Sequence, residues 1–270
     1  MTQGGGFTAP FVLPIYERMF IMTDILICGA CGHMGRVIAE IIEGRHDCQV
    51  VAGVDKLDGG AAFPIYHHIS DAAEKPQVII DFSHPSALDD ILSYAATNGC
   101  AVVIGSTGYS KEQIEQIHKA AEQIPIFFTF NMSLGINLMA ELAKKATAVL
   151  GGQFDIEIVE KHHNQKLDAP SGTAIMLADA INGELEKPYD LVYDRHSVRA
   201  KRTKTEIGMH SIRGGTIVGE HEIIFAGRDE VITLKHEAHS KSVFAVGAVN
   251  AAVFLKGKEA GLYTMGDMLS

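Results

Sequence analysis

The chain is short of most features that would assign it to a specialised class. It has four cysteines, Cys28, Cys31, Cys48 and Cys100, in glycine-rich or apolar surroundings and without the spacing of a disulfide framework. That excludes a secreted, disulfide-stapled scaffold and predicts a reducing, cytoplasmic setting. Cys28 and Cys31 form a lone C-x-x-C with no second pair and no histidine at zinc-site spacing. They read as small residues in a strand-to-loop turn, and no metal site is expected. Cations are also in deficit: 23 Lys and Arg stand against 33 Asp and Glu, for a formal charge of −10. With no long lysine or arginine run, a phosphate-backbone binder is excluded and no nucleic-acid partner is expected. An acidic chain can still hold an anionic small molecule in a local basic pocket. Long apolar runs are missing too. In residues 1–21 prolines interrupt the short apolar stretch and no basic segment precedes it, so neither a signal peptide nor a membrane span is predicted. That stretch reads as a peripheral leader, with the folded domain beginning at Met22. Internal repeats and low-complexity segments are absent.

What remains is a chain of 270 residues, 47% hydrophobic, which suits one large or two ordinary domains with real cores. From Asp24 to Phe130 short apolar runs alternate with amphipathic stretches. The runs are Ile25–Cys28, Gln49–Asp55, Pro76–Ser83, Cys100–Thr107 and Pro125–Phe130; the stretches are Arg36–Gly44, Ala87–Gly99 and Lys111–Gln123. Strands buried on both faces and separated by helices predict a parallel, doubly wound α/β sheet of Rossmann type. Beyond Met132 the texture changes. A helix over Ile136–Leu150 precedes a partly alternating run, Phe154–Val159. Later runs at Thr216–Val218, Glu222–Phe225 and Val231–Lys235, separated by Gly219, Gly227 and Arg228-Asp229, predict a second, α+β domain on a mostly antiparallel sheet. The expected division is a dinucleotide-binding domain at 22–132, a substrate-binding and oligomerisation domain at 133–241, and a segment at 242–270 whose apolar helix returns to the first domain.

Two segments carry chemistry. Gly29-Ala30-Cys31-Gly32-His33-Met34-Gly35 lies between the first strand and the first helix. A dinucleotide pyrophosphate needs a tight turn, close backbone approach and free helix N–H groups, and glycines spaced G-x-x-G-x-x-G supply all three. Twenty residues after Gly35 the second strand ends in Asp55-Lys56, an acceptor for ribose hydroxyls beside a cation for a 2′-phosphate, which predicts use of both NADH and NADPH. The strand-end turns Gly105-Ser106-Thr107 and Thr129-Phe130-Asn131-Met132 fall where the crevice of such a sheet opens and suit the nicotinamide side. The second segment, Glu160 to Thr173, holds His162, His163 and Lys166 within five residues and then opens a helix at Ser171-Gly172-Thr173. A proton donor, a fixed cation and helix N–H groups are what reduction of an anionic unsaturated acid requires. Capping a helix would need only the serine or threonine.

This second segment resembles the signature of the dihydrodipicolinate reductase family, E-x-H-H-x-x-K-x-D-A-P-S-G-T-A, which the chain matches from Glu160 to Ala174. The resemblance extends over about residues 24–270 through Ile80–Pro85, Ile104–Gly108, Asn131–Asn137, Ile212–His221 and Gly261–Met265. It implies NAD(P)H-dependent reduction of 4-hydroxy-tetrahydrodipicolinate to tetrahydrodipicolinate in lysine and diaminopimelate synthesis, by a homotetramer associated through the second domain. His162 is implied as general acid, with Lys166 as a proton-donating or charge-stabilising partner. His163, Ser171, Gly172 and Thr173 are implied to hold the dicarboxylate. Gly29 to Met34, Asp55, Lys56, Gly105 to Thr107 and Thr129 to Met132 are implied to hold the cofactor.

Overall fold

The computed structural model describes residues 22–269, and the leader expected over residues 1–21 lies outside them. The first half builds β1 (Thr23–Cys28), α1 (His33–Glu43), β2 (Cys48–Val54), β3 (Ile65–Tyr66), β4 (Val78–Asp81), α2 (Leu88–Asn98), β5 (Ala101–Ile104), α3 (Lys111–Ala120) and β6 (Pro125–Phe128). β4 and β5 are buried at every position, and β1 at all but one, so side chains point into protein on both faces. Only a sheet covered by helices on both sides accommodates that pattern. One layer is packed by Ile38 and Ile42 of α1, the other by Leu88, Ile91 and Leu92 of α2 and Ile117 of α3.

The second half runs through α4 (Leu134–Leu150), β7 (Asp155–His162), α5 (Gly172–Asn182), β8 (Asp190–Val192), β9 (Glu206–Arg213), β10 (Gly219–Ala226), β11 (Val231–Ala238), α6 (Ser242–Leu255), β12 (Gly261–Tyr263) and α7 (Met265–Leu269). The first sheet is all parallel in the order β12-β6-β5-β4-β1-β2-β3, and its order reverses between β1 and β4. A crevice outside the carboxyl ends of the strands is the geometric consequence. The second sheet, β11-β10-β7-β9-β8, is mixed: β10 pairs antiparallel with β11 and β7, while β7-β9-β8 are parallel. Along β7 Ile156, Ile158, Glu160 and His162 turn inward to α4 and α5, as a two-residue period requires. α6 packs on α1 and on β4, β5 and β6, burying Ala245, Ala248, Ala251, Ala252 and Leu255.

Two sequence readings are corrected. Thr216–Val218 is not a strand, and Gly219 does not separate strands but begins β10. Gly215 takes a left-handed φ of +48°, and the backbone at Gly214 and Gly215 bonds to His162 and Asn164, so this stretch forms a corner beside the end of β7. β9 was not legible from alternation because Ser211 and Arg213, which share a strand face with the buried Ile207 and Met209, are polar. In register they lie opposite Glu160 and His162.

A glycine fixes α6 against the loop after β6. A Cβ on Gly247 would lie 2.9 Å from the Met132 carbonyl carbon, and closer still to its oxygen. Helix propensity alone makes Gly247→Ala stabilising by about 1 kcal/mol. The clash predicts the opposite sign, a loss of about 1–3 kcal/mol, so a rise in the urea midpoint of this variant would contradict the packing described.

Candidate active site

The glycine loop follows β1 at the crevice. Gly29 has a left-handed φ of +80°, and a Cβ there would sit 2.6 Å from the Phe82 carbonyl oxygen. A Cβ on Gly35 would lie 2.7 Å from Ala30 Cα, so only glycine lets α1 approach β1 this closely. Between them Gly32 is the N-cap of α1 and offers no side-chain bond to it, and the first turn carries no acid. α3, α4 and α5, by contrast, each start with a serine hydroxyl that accepts a helix N–H. The first-turn N–H groups of α1 are therefore left for an outside anion, which fits a pyrophosphate. Asp55 braces the loop: its Oδ2 accepts from the Cys31 N–H at 2.9 Å and its Oδ1 from the Leu57 N–H at 3.1 Å. Lys56 beside it is exposed. Gly105 makes room for the Phe82 ring, and Tyr109 OH donates to buried Asp81 at 3.0 Å, tying down the turn that contains Ser106 and Thr107. Thr129, Phe130, Asn131 and Met132 follow β6; Met132 is buried under α6, whereas Phe130 is 79% exposed.

The second cluster is organised by Glu160, which is fully buried. Its Oε2 lies 2.6 Å from His162 Nδ1, while Arg213 donates to both oxygens at 2.7 and 2.8 Å and the Ser171 N–H donates to Oε1 at 3.2 Å. Burial alone would raise the Glu160 pKa. Bonds from Arg213, Ser211 and His162 overturn that and hold the carboxyl at about 2. His162, buried on the same face of β7, is lowered from its ordinary value by burial against the opposing pull of Glu160, with the Lys166 and Arg213 charges adding to the lowering. Removing either partner of the buried Glu160–Arg213 ion pair costs about 3–5 kcal/mol.

Around this core the loop after β7 places Lys166 with its Nζ 2.9 Å from Asp168 Oδ1. His163 is half-buried beside it. The Ser171 hydroxyl is engaged inside the protein, accepting from the Ala174 N–H at 3.2 Å and lying 3.1 Å from His221 Nε2. Gly172 is exposed with open space where a Cβ would project, so its backbone is approachable. Thr173 Oγ1 accepts from Asn131 Nδ2 at 3.0 Å. That bond joins the loop after β6 to the start of α5 and brings the two predicted clusters together. His221 and Arg213 escaped the sequence reading because they come from β10 and β9. Glu160 could have been found: two residues before His162 on a strand, it must share its face.

Family models describe this architecture. The chain matches "Dihydrodipicolinate reductase, N-terminus" over residues 23–132 and "Dihydrodipicolinate reductase, C-terminus" over residues 135–269. It is 49% identical over 249 residues to the 4-hydroxy-tetrahydrodipicolinate reductase of Caldanaerobacter subterraneus subsp. tengcongensis, covering 92% of this chain and 99% of that one. The enzyme of the same name from Clostridium novyi is 45% identical, with 92% and 98% covered. Among solved structures, the dipicolinate-bound dihydrodipicolinate reductase from Paenisporosarcina sp. TG-14 shares the fold. Its TM-score is 0.75 at 24% identity, with 93% of this chain and 100% of that chain covered.

The buried histidine next to this site gives the fold an acid sensitivity of known sign. Burial, then the neighbouring His162 charge, lowers His221 from 6.5 to about 4. The unfolded chain therefore binds a proton there first, and His221's contribution is full above about pH 6.5 and lost as pH falls through 4. The magnitude is roughly 3 kcal/mol. Urea unfolding at pH 7 and pH 4.5 should show His221→Gln losing less stability between the two than the unaltered protein; equal losses would contradict this environment for His221.

Proposed function

The chain belongs to the dihydrodipicolinate reductase family, and from that premise we propose that it reduces 4-hydroxy-tetrahydrodipicolinate, whose hydroxyl departs as water to leave the conjugated ring, or that dehydrated ring directly, to tetrahydrodipicolinate with a pyridine nucleotide. The observation that carries the reading is the Asn131–Thr173 bond, which sets the anion-binding start of α5 against the loop on the cofactor side. The fit of the nucleotide rests on the uncapped start of α1 and the glycine cradle before it. When bound, the reduced nicotinamide supplies a hydride to the conjugated ring.

The remaining work belongs to side chains. Thr173 Oγ1 already accepts from Asn131, so its own proton is free to be donated to a substrate carboxylate, alongside the Gly172 and Thr173 N–H groups. Lys166 spends one of three ammonium donors on Asp168 and keeps two for the second carboxylate. His163 lines the same loop and assists in holding the dianion. With Nδ1 committed to Glu160, His162 presents Nε2 on the side of Gly219, where a Cβ would come within 3.1 Å of it. From Nε2 it delivers the proton that the reduced ring requires, and the approach of a dianion favours the charged imidazolium.

The same reading divides the chain into a cofactor domain at 22–132 and a substrate and association domain at 133–241, with 242–270 returning to the first. It places the protein in the cytoplasm; among the described residues no helix is long and apolar enough to cross a membrane. The outward face of the second sheet, where Ile212 and Val231 are exposed, is the surface on which a homotetramer forms. Both NADH and NADPH serve, because Asp55 suits a ribose diol and Lys56 a 2′-phosphate.

Steady-state oxidation of NADH and NADPH with freshly generated substrate tests this reading. His162→Gln is expected to lower kcat by about a hundredfold or more with a smaller change in KM. Thr173→Ala should chiefly raise KM, since the carboxylate contact is made in ground and transition states alike. In the same assay Lys56→Ala should weaken NADPH more than NADH. A His162→Gln enzyme that binds both ligands and keeps its kcat removes His162 as the acid and leaves Lys166 or a bound water in its place.

A further inference from the structure

Glu160 is a buried carboxylate that ordinary packing does not call for. It occupies an inward position of β7 next to Ile158, a place where an apolar side chain would suffice, and it is matched there by Arg213 from β9, which faces the same layer. Arg213 does more than neutralise it. One guanidinium nitrogen donates to Oε2 and to the Ile212 carbonyl, the other to Oε1 and to the Asp168 carbonyl at 2.7 Å. The guanidinium thereby fixes the carboxylate and, through Asp168, the loop that carries Lys166. The Ser171 N–H holds the same oxygen as one of these donors, so the start of α5 is referenced to Glu160 as well. What the carboxylate offers outward is Oε2, 2.6 Å from His162 Nδ1.

From this geometry we propose that Glu160, clamped by Arg213, is a positioning residue that fixes the tautomer of His162, keeping a proton on Nδ1 so that the transferable one is carried on Nε2. The inference deepens the reading above and rests on His162 being the acid. An ionised carboxylate can only accept, so Nδ1 must donate to it; the neutral ring then has a bare Nε2, and the acid form gains its second proton there. When Nε2 gives up that proton to the reduced ring, the imidazole returns to the Nδ1–H tautomer without reorienting, and solvent or product release restores the charge. A carboxylate beside an imidazole also favours the charged form, in the manner of the carboxylate in hydrolytic triads. The other titratable and charged groups around the ring are Lys166 from the loop after β7, Arg213 from β9 and His221 from β10, whose ring lies edge-on at 5.2 Å between centroids. Lys166 and Arg213 oppose the imidazolium, and His221, lowered to about 4, is neutral at working pH, so Glu160 is the one anion in this set that favours it.

Glu160→Gln tests the assignment because it keeps the shape and reverses the chemistry: a carboxamide NH2 turned to Nδ1 stabilises the opposite tautomer and withdraws the charge. The alkaline limb of the kcat–pH profile, where the acid loses its proton in the complex, is expected to move down by about one pH unit or more, the usual influence of an opposite charge at this distance. kcat at pH 7.5 should fall at least about tenfold, while the Kd for NADH stays within about twofold. Glu160→Asp, which retains the charge but shortens the reach, should lower kcat and leave the limb within about half a unit of its original place. Nitrogen-15 NMR of the imidazoles in the resting full-length protein, with His162 assigned by its disappearance in His162→Gln, should show neutral His162 as the Nδ1–H tautomer. This measurement decides the matter even if Glu160→Gln does not accumulate folded. An Nε2–H tautomer, or a limb that stays put in Glu160→Gln while kcat falls only with thermal stability, overturns the proposal. Retention of kcat in His162→Gln would instead overturn the underlying reading, so the two failures are distinguishable.

Discussion

The structure depends on how a negative charge is kept inside the second domain. Glu160 is out of contact with water, and a carboxylate in that position is tolerated only when its lone pairs are filled by charged or well-aimed donors. Three surrounding pieces of chain supply them: the β7 strand itself through His162, β9 through Arg213, and the turn into α5 through the Ser171 N–H; the same guanidinium also donates to the Asp168 carbonyl and so ties down the loop before that turn. Disturbing any one of them exposes the charge to an apolar layer. The arrangement of the chemical loop is therefore set by the cost of burying one oxygen pair, and the histidine inherits its orientation from that constraint.

The first domain answers a different constraint, the close approach of backbone to backbone. Gly29 turns the chain where any side chain would strike the Phe82 carbonyl, and Gly35 lets α1 lie against the residue after that turn. Having no side-chain cap, α1 leaves its N–H groups open at the crevice. The loop after β6 is where the two constraints meet. Asn131 accepts from the Ser133 N–H at 2.8 Å through its Oδ1 and donates through Nδ2 to Thr173, so one amide spans the start of α4 and the start of α5.

Much of this was legible in the sequence because the information is local. Parallel strands buried on both faces announce themselves as unbroken apolar runs, and the glycine loop, Asp55 and the Glu160–Thr173 segment are each contiguous or fixed by a short spacing. The rest was not legible because it depends on register between strands far apart in the chain. Arg213 and His221 bound the segment Ile212–His221 but carry no local signal of a role until β9 is paired with β7 and β10 brings His221 to Ser171. The same cause explains the misplaced run at Thr216–Val218. Its β-branched residues suggested a strand, but Gly214 and Gly215 turn the backbone to bond with the end of β7. Ser171 is a middle case: read as a substrate ligand, it has its hydroxyl engaged by the α5 cap and by His221.

The proposed reaction requires the two halves to act together, a nucleotide held at the β1–α1 turn reducing a dicarboxylate held at the start of α5. A single turnover with NADH deuterated at both C4 positions, using freshly generated 4-hydroxy-tetrahydrodipicolinate in ordinary water, tests it most directly. The tetrahydrodipicolinate formed is expected to be one mass unit heavier, with the deuterium bound to a ring carbon. A product without the label, or no turnover with either NADH or NADPH, would contradict it.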